Sequence, residues 1–264
     1  METLIAYLLT GAAAGFASGL FGIGGGLIIV PTLLGVFALQ GLSTDIATHL
    51  AVGSSLATII VTSLSSLRAH ARLGNIRWAI WRPLAAGLAV GAIGGAQIAG
   101  MMPGEMLKSV FGIFAVVMAL RMALGGQPPA HRQVPGHTGL ASTGLGFGAI
   151  SSIVGIGGGS LTVPFLAWCG VPMRYAVGTS AAAGLPIALA GSLGFVIAGG
   201  MHATSELPSG ATGFVYWPAV AGLAAASVLL APVGARLASR LPQRTLKRAF
   251  ALLLVVVGVR LLWG

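Results

Sequence analysis

Two glycine-rich segments are the part of this sequence whose residue types and spacing point most directly to chemistry. Segments 22–31 and 155–164 read GIGGGLIIVP and GIGGGSLTVP. Consecutive glycines break a helix and let a ligand approach the backbone, and the following helix begins with unpaired N–H groups that favour anions. The alternative is that the glycines only allow close helix packing. The predicted substrate-binding residues are Gly24, Gly25, Gly26 and Leu27 in the first segment and Gly157, Gly158, Gly159 and Ser160 in the second.

A second pair of motifs carries hydroxyl groups. Segments 51–55 and 176–180 read AVGSS and AVGTS, so each ends in two adjacent hydroxyl side chains. Hydroxyl groups can donate hydrogen bonds to an oxyanion. In membrane helices they also bond back to their own carbonyls or to a neighbouring helix, which is the alternative here. The predicted substrate ligands are Ser54, Ser55, Thr179 and Ser180.

Two ionisable residues, His49 and Arg174, occupy equivalent positions just before these motifs. Ionisable groups near membrane depth indicate function: a histidine could carry a proton, and an arginine could draw anions to the pore mouth. An intramembrane enzyme with Ser18 or Ser54 as nucleophile and His49 as base is a weaker alternative, because no carboxylate is placed to orient the histidine. The single cysteine, Cys169, excludes a cysteine-based metal site. We predict no catalytic residue, metal or cofactor.

The composition excludes a water-soluble fold. Of 264 residues, 56% are hydrophobic and only 7% are charged, whereas soluble domains carry roughly 25% charged residues. The net charge of +10 does not predict nucleic-acid binding, because no soluble surface remains to carry a basic face. We therefore predict an all-α integral membrane protein whose main partner is the lipid bilayer.

Ten apolar stretches provide the helices. A full bilayer crossing needs roughly 20 residues, which eight stretches approach or exceed. The other two directly follow the glycine runs, so each is predicted to be a short half-helix after a break. The stretches span about 4–21, 27–40, 46–67, 83–102, 106–124, 138–156, 160–170, 175–199, 214–235 and 245–263.

The paired motifs belong to an internal duplication. We predict a first transmembrane repeat at 1–124, a linker rich in Gly and Pro at 125–136, and a second repeat at 137–264. Six further residue pairs recur at a constant offset of 139 residues. They match Trp78, Pro103, Leu107, Lys108, Phe111 and Arg121 with Trp217, Pro242, Leu246, Lys247, Phe250 and Arg260.

Charge placement predicts that the second repeat is inverted. The basic segments 68–82 and 236–248 do not lie at equivalent positions of the two repeats, and cytoplasmic loops collect Lys and Arg. An inverted repeat needs an odd number of crossings, either five or three plus a re-entrant hairpin. Both alternatives place the linker in the cytoplasm and both termini outside. They put 12 of 14 basic residues inside and all four acidic residues outside.

With these motifs, the sequence resembles the sulfite exporter TauE/SafE family, also described by its 4-toluene sulfonate uptake members. The resemblance rests on GFASGLFGIGGGLIIVP and HLAVGSSLATII in the first half and on GIGGGSLTVPFL and AVGTSAAAGLPIALAGSLGF in the second. It covers about residues 4–262. It implies transport of anionic sulfur compounds such as sulfite, sulfoacetate or other organosulfonates across the bacterial inner membrane.

The predicted function is therefore a secondary transporter that exports a small sulfur-containing anion by alternating access between inverted halves. No nucleotide-binding motif is present, and an inside-negative potential itself favours anion export by about 2.3 kcal/mol per charge per 100 mV. A passive anion channel is the near alternative, and a docking platform for an acidic partner is a third. A second copy of the chain is a candidate partner, and nucleic acid is not.

Overall fold

The protein folds almost entirely into α-helices. The computed structural model describes residues 2–21, 25–124, 133–203, 207–238 and 243–263. These residues form ten helices and one short antiparallel hairpin, which confirms the all-α prediction. The helices are α1 (Glu2–Phe21), α2 (Gly26–Leu39), α3 (Thr44–Arg72), α4 (Trp78–Met101), α5 (Gly104–Leu124), α6 (His137–Val154), α7 (Gly159–Trp168), α8 (Met173–His202), α9 (Trp217–Ala238) and α10 (Gln243–Trp263), and the hairpin strands are β1 (Ala211–Thr212) and β2 (Val215–Tyr216).

Three helices, α3, α4 and α8, are long and apolar enough to cross a bilayer by themselves. Helix α3 has 29 residues and α8 has 30, more than the roughly 20 that a crossing needs. Both therefore project beyond the apolar stretches that the sequence outlines, and α3 carries Arg68 and Arg72 in its last turns rather than in a loop. Shorter apolar helices surround these three.

The two short helices fold back on the helices that precede them. In the first hairpin, Tyr7 near the start of α1 bonds to Gln40 just after α2, with 2.8 Å between Gln40 Nε2 and Tyr7 Oη. In the second, the rings of Phe147 in α6 and Phe165 in α7 lie 5.5 Å apart, centroid to centroid. Helices α2 and α7 therefore return to the end of the bundle from which α1 and α6 start. Both predicted alternatives, five crossings or three with a re-entrant hairpin, have this antiparallel arrangement.

Helices at equivalent positions of the two halves run in opposite directions. Helix α8 is antiparallel to α3, because Gly191 lies beside Leu56 and Gly184 lies beside Ser63. Helix α10 is likewise antiparallel to α5, with Gly258 beside Val116. The halves are thus inverted relative to each other, as the charge pattern predicts.

The halves also interlock through glycine stripes. Helix α4 packs along α6, and α1 packs along α9. Gly87, Gly91 and Gly95 of α4 face the backbone of Ala141, Leu145 and Ala149 of α6 at a constant spacing, so these two helices run parallel. A Cβ atom on any of the three glycines would overlap that backbone. Close approach of this kind replaces the hydrophobic effect as the cohesive force between helices in lipid.

The two ends of the bundle differ in charge. We call the end where α4, α6 and α8 begin the linker end, because α5 ends and α6 begins there. Asp45 and Glu105 lie at the opposite end, where Gly104 N donates to the Asp45 carboxylate. The basic residues that the structure places at the linker end are Arg68, Arg72, Arg77, Arg82, Arg121, Arg174 and Arg248.

The stripe on α4 gives a direct test of interlocking, because two adjacent glycines differ in their surroundings. Gly95→Ala should lower the thermal unfolding midpoint in detergent, since its methyl group overlaps Ala149 and overpacking costs about 1–3 kcal/mol. Gly94→Ala is the matched control, because nothing lies within 4 Å of its Cβ position. It should leave the midpoint unchanged or raise it. Equal midpoints for the two variants would contradict the packing.

Candidate functional site

The tips of the two helical hairpins meet inside the bundle. Gly26, the first residue of α2, lies against the carbonyl of Gly155 and the Cα atom of Ile156, where a Cβ atom would overlap both. Gly155 ends α6 in the left-handed conformation at φ 72°, which favours glycine. Ser55 Oγ donates to the Gly155 carbonyl oxygen at 2.9 Å. The first and second halves are therefore in direct backbone contact at the two glycine segments.

The start of α7 is held by α8. Gly158 is the N-cap of α7, and its carbonyl oxygen accepts from Thr162 N at 3.0 Å and from Ser180 Oγ at 3.1 Å. The N–H groups of the first helical turn have no partner within the helix, as at any helix start. Ser180 therefore holds the start of α7, where the first N–H groups have no acceptor within the helix.

A cavity of about 160 Å³ lies beside this helix start, between α3 and α8. Its α3 wall carries the hydroxyl groups of Thr62, Ser63 and Ser66, and its other walls are mainly glycine backbone. No charged side chain is among its lining residues within the described part of the chain. The cavity therefore offers neutral hydrogen-bonding groups, of which Thr62 Oγ1 and Ser180 Oγ donate to the carbonyls of Ile59 and Gly158. The lining residues are Ile59, Thr62, Ser63, Ser66, Gly157, Gly158, Gly159, Ser180, Ala181 and Gly184.

Four buried hydroxyls cluster around the tip of the second hairpin without a hydrogen-bond partner in the described ranges. Ser151 and Ser152 lie in the last turn of α6, and Ser160 and Thr162 lie in the first turn of α7. Buried polar groups in proteins are nearly always paired with protein or with water. This hairpin tip therefore has hydrogen-bonding capacity left over for a solute or for water.

Ser54 and Thr179 dock loops from the opposite half. Ser54 Oγ accepts from Tyr216 N at 2.9 Å, and Thr179 Oγ1 accepts from Arg77 N at 3.0 Å. Tyr216 and Arg77 are 139 residues apart, so the two contacts are equivalent in the duplication. The glycine before each hydroxyl makes room for the same loop: Gly53 lies against the Phe214 carbonyl, and Gly178 lies against the Asn75 carbonyl. The AVGSS and AVGTS motifs thus have a structural role as crossed docking points.

His49 and Arg174 lie at opposite ends of the bundle. His49 is 5% exposed and stacks on Phe214, with ring centroids 4.5 Å apart, and its Nε2 atom lies 2.9 Å from the Ala99 carbonyl oxygen. It lines a second cavity of about 300 Å³ at the end opposite the linker, together with Asp45 and His202. Arg174 is exposed at the linker end. Neither residue lines the cavity at the start of α7.

The structure brings together one part of the predicted site. Gly157, Gly158, Gly159 and Ser180 line one cavity, with Ser160 buried beside them. Gly25 is the N-cap of α2, Gly26 contacts the other hairpin tip, and Leu27 is buried in the apolar core. Gly24 lies outside the described residues. That these residues bind substrate stays a prediction.

The sequence places Thr62 on one helix face with Ser54 and Thr58, as possible donors to an oxyanion, but Ser63 and Ser66 of the α3 wall were missed. Thr62, Ser63 and Ser66 belong to a hydroxyl-rich run, TSLSS, which was the available signal. That run faces α7 only because α3 crosses α8 at Gly184. There the Ser63 hydroxyl lies 2.6 Å from the point where a Cβ atom on residue 184 would stand.

The docking contacts predict a specific pattern of stability. Ser54→Ala and Thr179→Ala should each lower the free energy of unfolding by about 1–3 kcal/mol, because each leaves a loop N–H group without its acceptor. Thr179→Ser should restore most of the loss. Thr58→Ala is the control on the same helix face, since its hydroxyl bonds only to the Ser54 carbonyl of its own helix. Thermal unfolding in detergent measures all four, and losses no larger than that of Thr58→Ala would contradict the docking role.

Comparisons with known proteins agree with the architecture. The model of the sulfite exporter TauE/SafE family matches residues 7–261. A probable membrane transporter protein of Haemophilus influenzae is 36% identical over 256 residues, covering 96% of both chains. Probable membrane transporter proteins of Xylella fastidiosa and Methanocaldococcus jannaschii are 29% and 25% identical, covering 100% and 97% of this chain and 96% and 94% of theirs. No solved structure matches the chain. The chain belongs to the sulfite exporter TauE/SafE family of membrane transporters.

Proposed function

We propose that this protein is a secondary transporter that exports a small sulfur-containing anion, such as sulfite, sulfoacetate or another organosulfonate, across the bacterial inner membrane. The observation that carries the proposal is the cavity at the start of α7, where hydroxyl groups and backbone N–H groups converge without a charged side chain. The anion is moved chemically unchanged, and no cofactor takes part. The proposed substrate contacts are those of the second glycine segment together with Ser180 and the α3 hydroxyls.

Neutral donors suit an anion that must be released as well as bound. A hydrogen bond to a charged group contributes roughly 1.5–3 kcal/mol, so a few such bonds can replace part of the hydration of an oxyanion. A buried arginine or lysine would hold the anion more tightly and slow its release. In inverted-repeat transporters, sites of this kind lie at the repeat interface and use the N-termini of broken helices.

The size of the cavity favours small aliphatic substrates. Its volume of about 160 Å³ is close to the roughly 150 Å³ cavity that accepts benzene in an engineered protein. Sulfite fits within this volume, and so does a two-carbon sulfonate.

The hairpin tips support alternating access over a continuous channel. Gly26 lies against Gly155 with no room for a methyl group, so the tips form a barrier. The cavity lies on the α7 side of this contact, and its α3 wall extends through Ser66 toward the linker end. Movement of an anion past the tips then requires the two hairpins to separate from each other.

The charge difference between the two ends of the bundle supports an orientation in the membrane. We propose that the linker end faces the cytoplasm, because the arginines collected there fit the preference of cytoplasmic loops for Lys and Arg. Both termini are then periplasmic. Lys108 and Arg260 lie at the other end, and they are the repeat-mates of Lys247 and Arg121. The inside-negative potential then drives anions from the linker end outward.

Reporter fusions test this orientation. A phosphatase or fluorescent reporter placed within 125–136 should report the cytoplasm, and reporters at both termini should report the periplasm. The expectation follows from the basic residues at the linker end. A cytoplasmic C-terminus would contradict the proposed topology, whatever the substrate.

Transport in proteoliposomes tests the site. Thr62→Val keeps the shape of a cavity-lining side chain but removes its hydroxyl, and it should raise the KM for sulfite or sulfoacetate roughly tenfold. Thr143→Val is the matched control, because both threonines bond to a carbonyl of their own helix and Thr143 lies outside the cavity. An unchanged KM in the triple variant Thr62→Val, Ser63→Ala, Ser180→Ala would refute the site.

Saturation and counterflow identify a transporter, and their absence would identify a channel.

A further inference from the structure

Two arginines from different halves converge on one aromatic ring at the linker end. The guanidinium carbon of Arg77 lies 4.0 Å from the centroid of the Tyr175 ring, and that of Arg174 lies 4.4 Å from the same centroid. Arg174 Nη2 also donates to Tyr175 Oη at 2.7 Å. Both arginines are exposed, and the Tyr175 ring is partly buried. Tyr175 therefore holds two cationic groups in fixed places.

This arrangement concentrates positive charge without a balancing carboxylate. Arg77 is the N-cap of α4 and Arg174 is the second residue of α8, so both lie at helix starts, where the helix dipole disfavours cations. The first turns of α4 and α8 contain no acidic residue. Within the described ranges the one ion pair, Lys108 with Glu105, lies at the opposite end. Contact with the ring offsets only part of the repulsion, about 0.5–1 kcal/mol at an exposed site.

An oxyanion group would satisfy both guanidiniums at once. Each guanidinium presents a planar set of N–H donors that matches the oxygens of a sulfonate, carboxylate or phosphate group. Contact with the Tyr175 ring itself uses no N–H group, and Arg174 commits one N–H group to Tyr175 Oη. The anion would also relieve the repulsion between the arginines and lie at the positive ends of two helices.

The site lies on the approach to the cavity. Arg174 is seven residues before Ala181, which lines the cavity, so both lie on one face of α8, roughly 10 Å apart along the helix. Arg77 N bonds to Thr179 Oγ1, which places the loop before α4 beside the same stretch of α8.

We infer that Arg77, Arg174 and Tyr175 form a second oxyanion-binding site at the linker end, separate from the cavity. The ligand is a sulfonate, sulfite, carboxylate or phosphate group, supplied by a free anion in solution or by an anionic lipid headgroup. Binding at this site is independent of the transported substrate. The site would also raise the local concentration of anions beside the cavity and so act as an entry point. Only this entry role rests on the proposed function.

Thermal unfolding in neutral detergent tests binding without transport. Sulfate at about ten times its dissociation constant should raise the midpoint of the wild type by roughly 3–5 °C over chloride at equal ionic strength. The double variant Arg77→Gln, Arg174→Gln should lose this shift. The control Arg68→Gln, Arg82→Gln removes the same charge from exposed arginines at the same end and should keep it. The cavity triple variant Thr62→Val, Ser63→Ala, Ser180→Ala should also keep it.

The outcomes separate the two sites and the two sources. A full sulfate shift in the Arg77/Arg174 variant, or an equal loss in the Arg68/Arg82 control, would overturn the inference. Loss of the shift in the cavity variant alone would place sulfate in the cavity and would also overturn it. The same titration with phosphatidylglycerol identifies a lipid source if it shifts the wild type but not the Arg77/Arg174 variant. A shift with sulfate alone identifies a free anion, and both of these results support the site.

The entry role has its own readout. In phosphatidylcholine proteoliposomes at low salt, the Arg77/Arg174 variant should raise the KM for sulfite about five- to tenfold with kcat unchanged. The difference should shrink near 1 M salt, where the screening length is about 3 Å. A KM that equals that of the Arg68/Arg82 control would remove the entry role while leaving the binding result intact.

Discussion

The structure depends on one constraint: a helix broken inside a membrane exposes backbone groups that water cannot satisfy there. The break between α6 and α7 is buried, and side chains from neighbouring helices meet part of the demand. Ser55 donates to the carbonyl of Gly155, and Ser180 donates to the carbonyl of Gly158. The first N–H groups of α7 have no acceptor within their own helix, and Gly158 and Gly159 line the cavity. The cost of breaking the helix is therefore linked to the capacity to bind a polar solute.

The same constraint explains how far the sequence alone predicts the fold. Three glycines before a short apolar stretch predict a half-helix, and α2 and α7 start within a residue of the predicted positions. Inversion is predictable because charge placement follows membrane sidedness. The ends of α3 are less predictable, because long arginine side chains reach the interface from inside a helix, so the helix continues through Arg68 to Arg72.

The site is predicted less completely than the fold. The glycines of the second segment and Ser180 do line a cavity, and the sequence singles them out because both motifs recur in the two halves. The partner of Ser54 is 162 residues away, and only the crossed arrangement of the halves brings Tyr216 to it. The hydroxyls of Thr62, Ser63 and Ser66 face the cavity because of the register between α3 and α8. Registers between distant helices leave no local pattern in a sequence.

The pairing of α1 with α9 has a consequence for how the chain is made. The first hairpin leaves the ribosome long before its partner, since α9 begins at Trp217. At synthesis rates of about 5–20 residues per second, the glycine stripe of α1 waits roughly 10–40 seconds for the surface it packs against. During that time Gly11 and Gly15 face lipid, insertion machinery or another nascent chain instead of Leu223 and Ser227. Assembly of this protein is therefore completed only after most of the second half is translated.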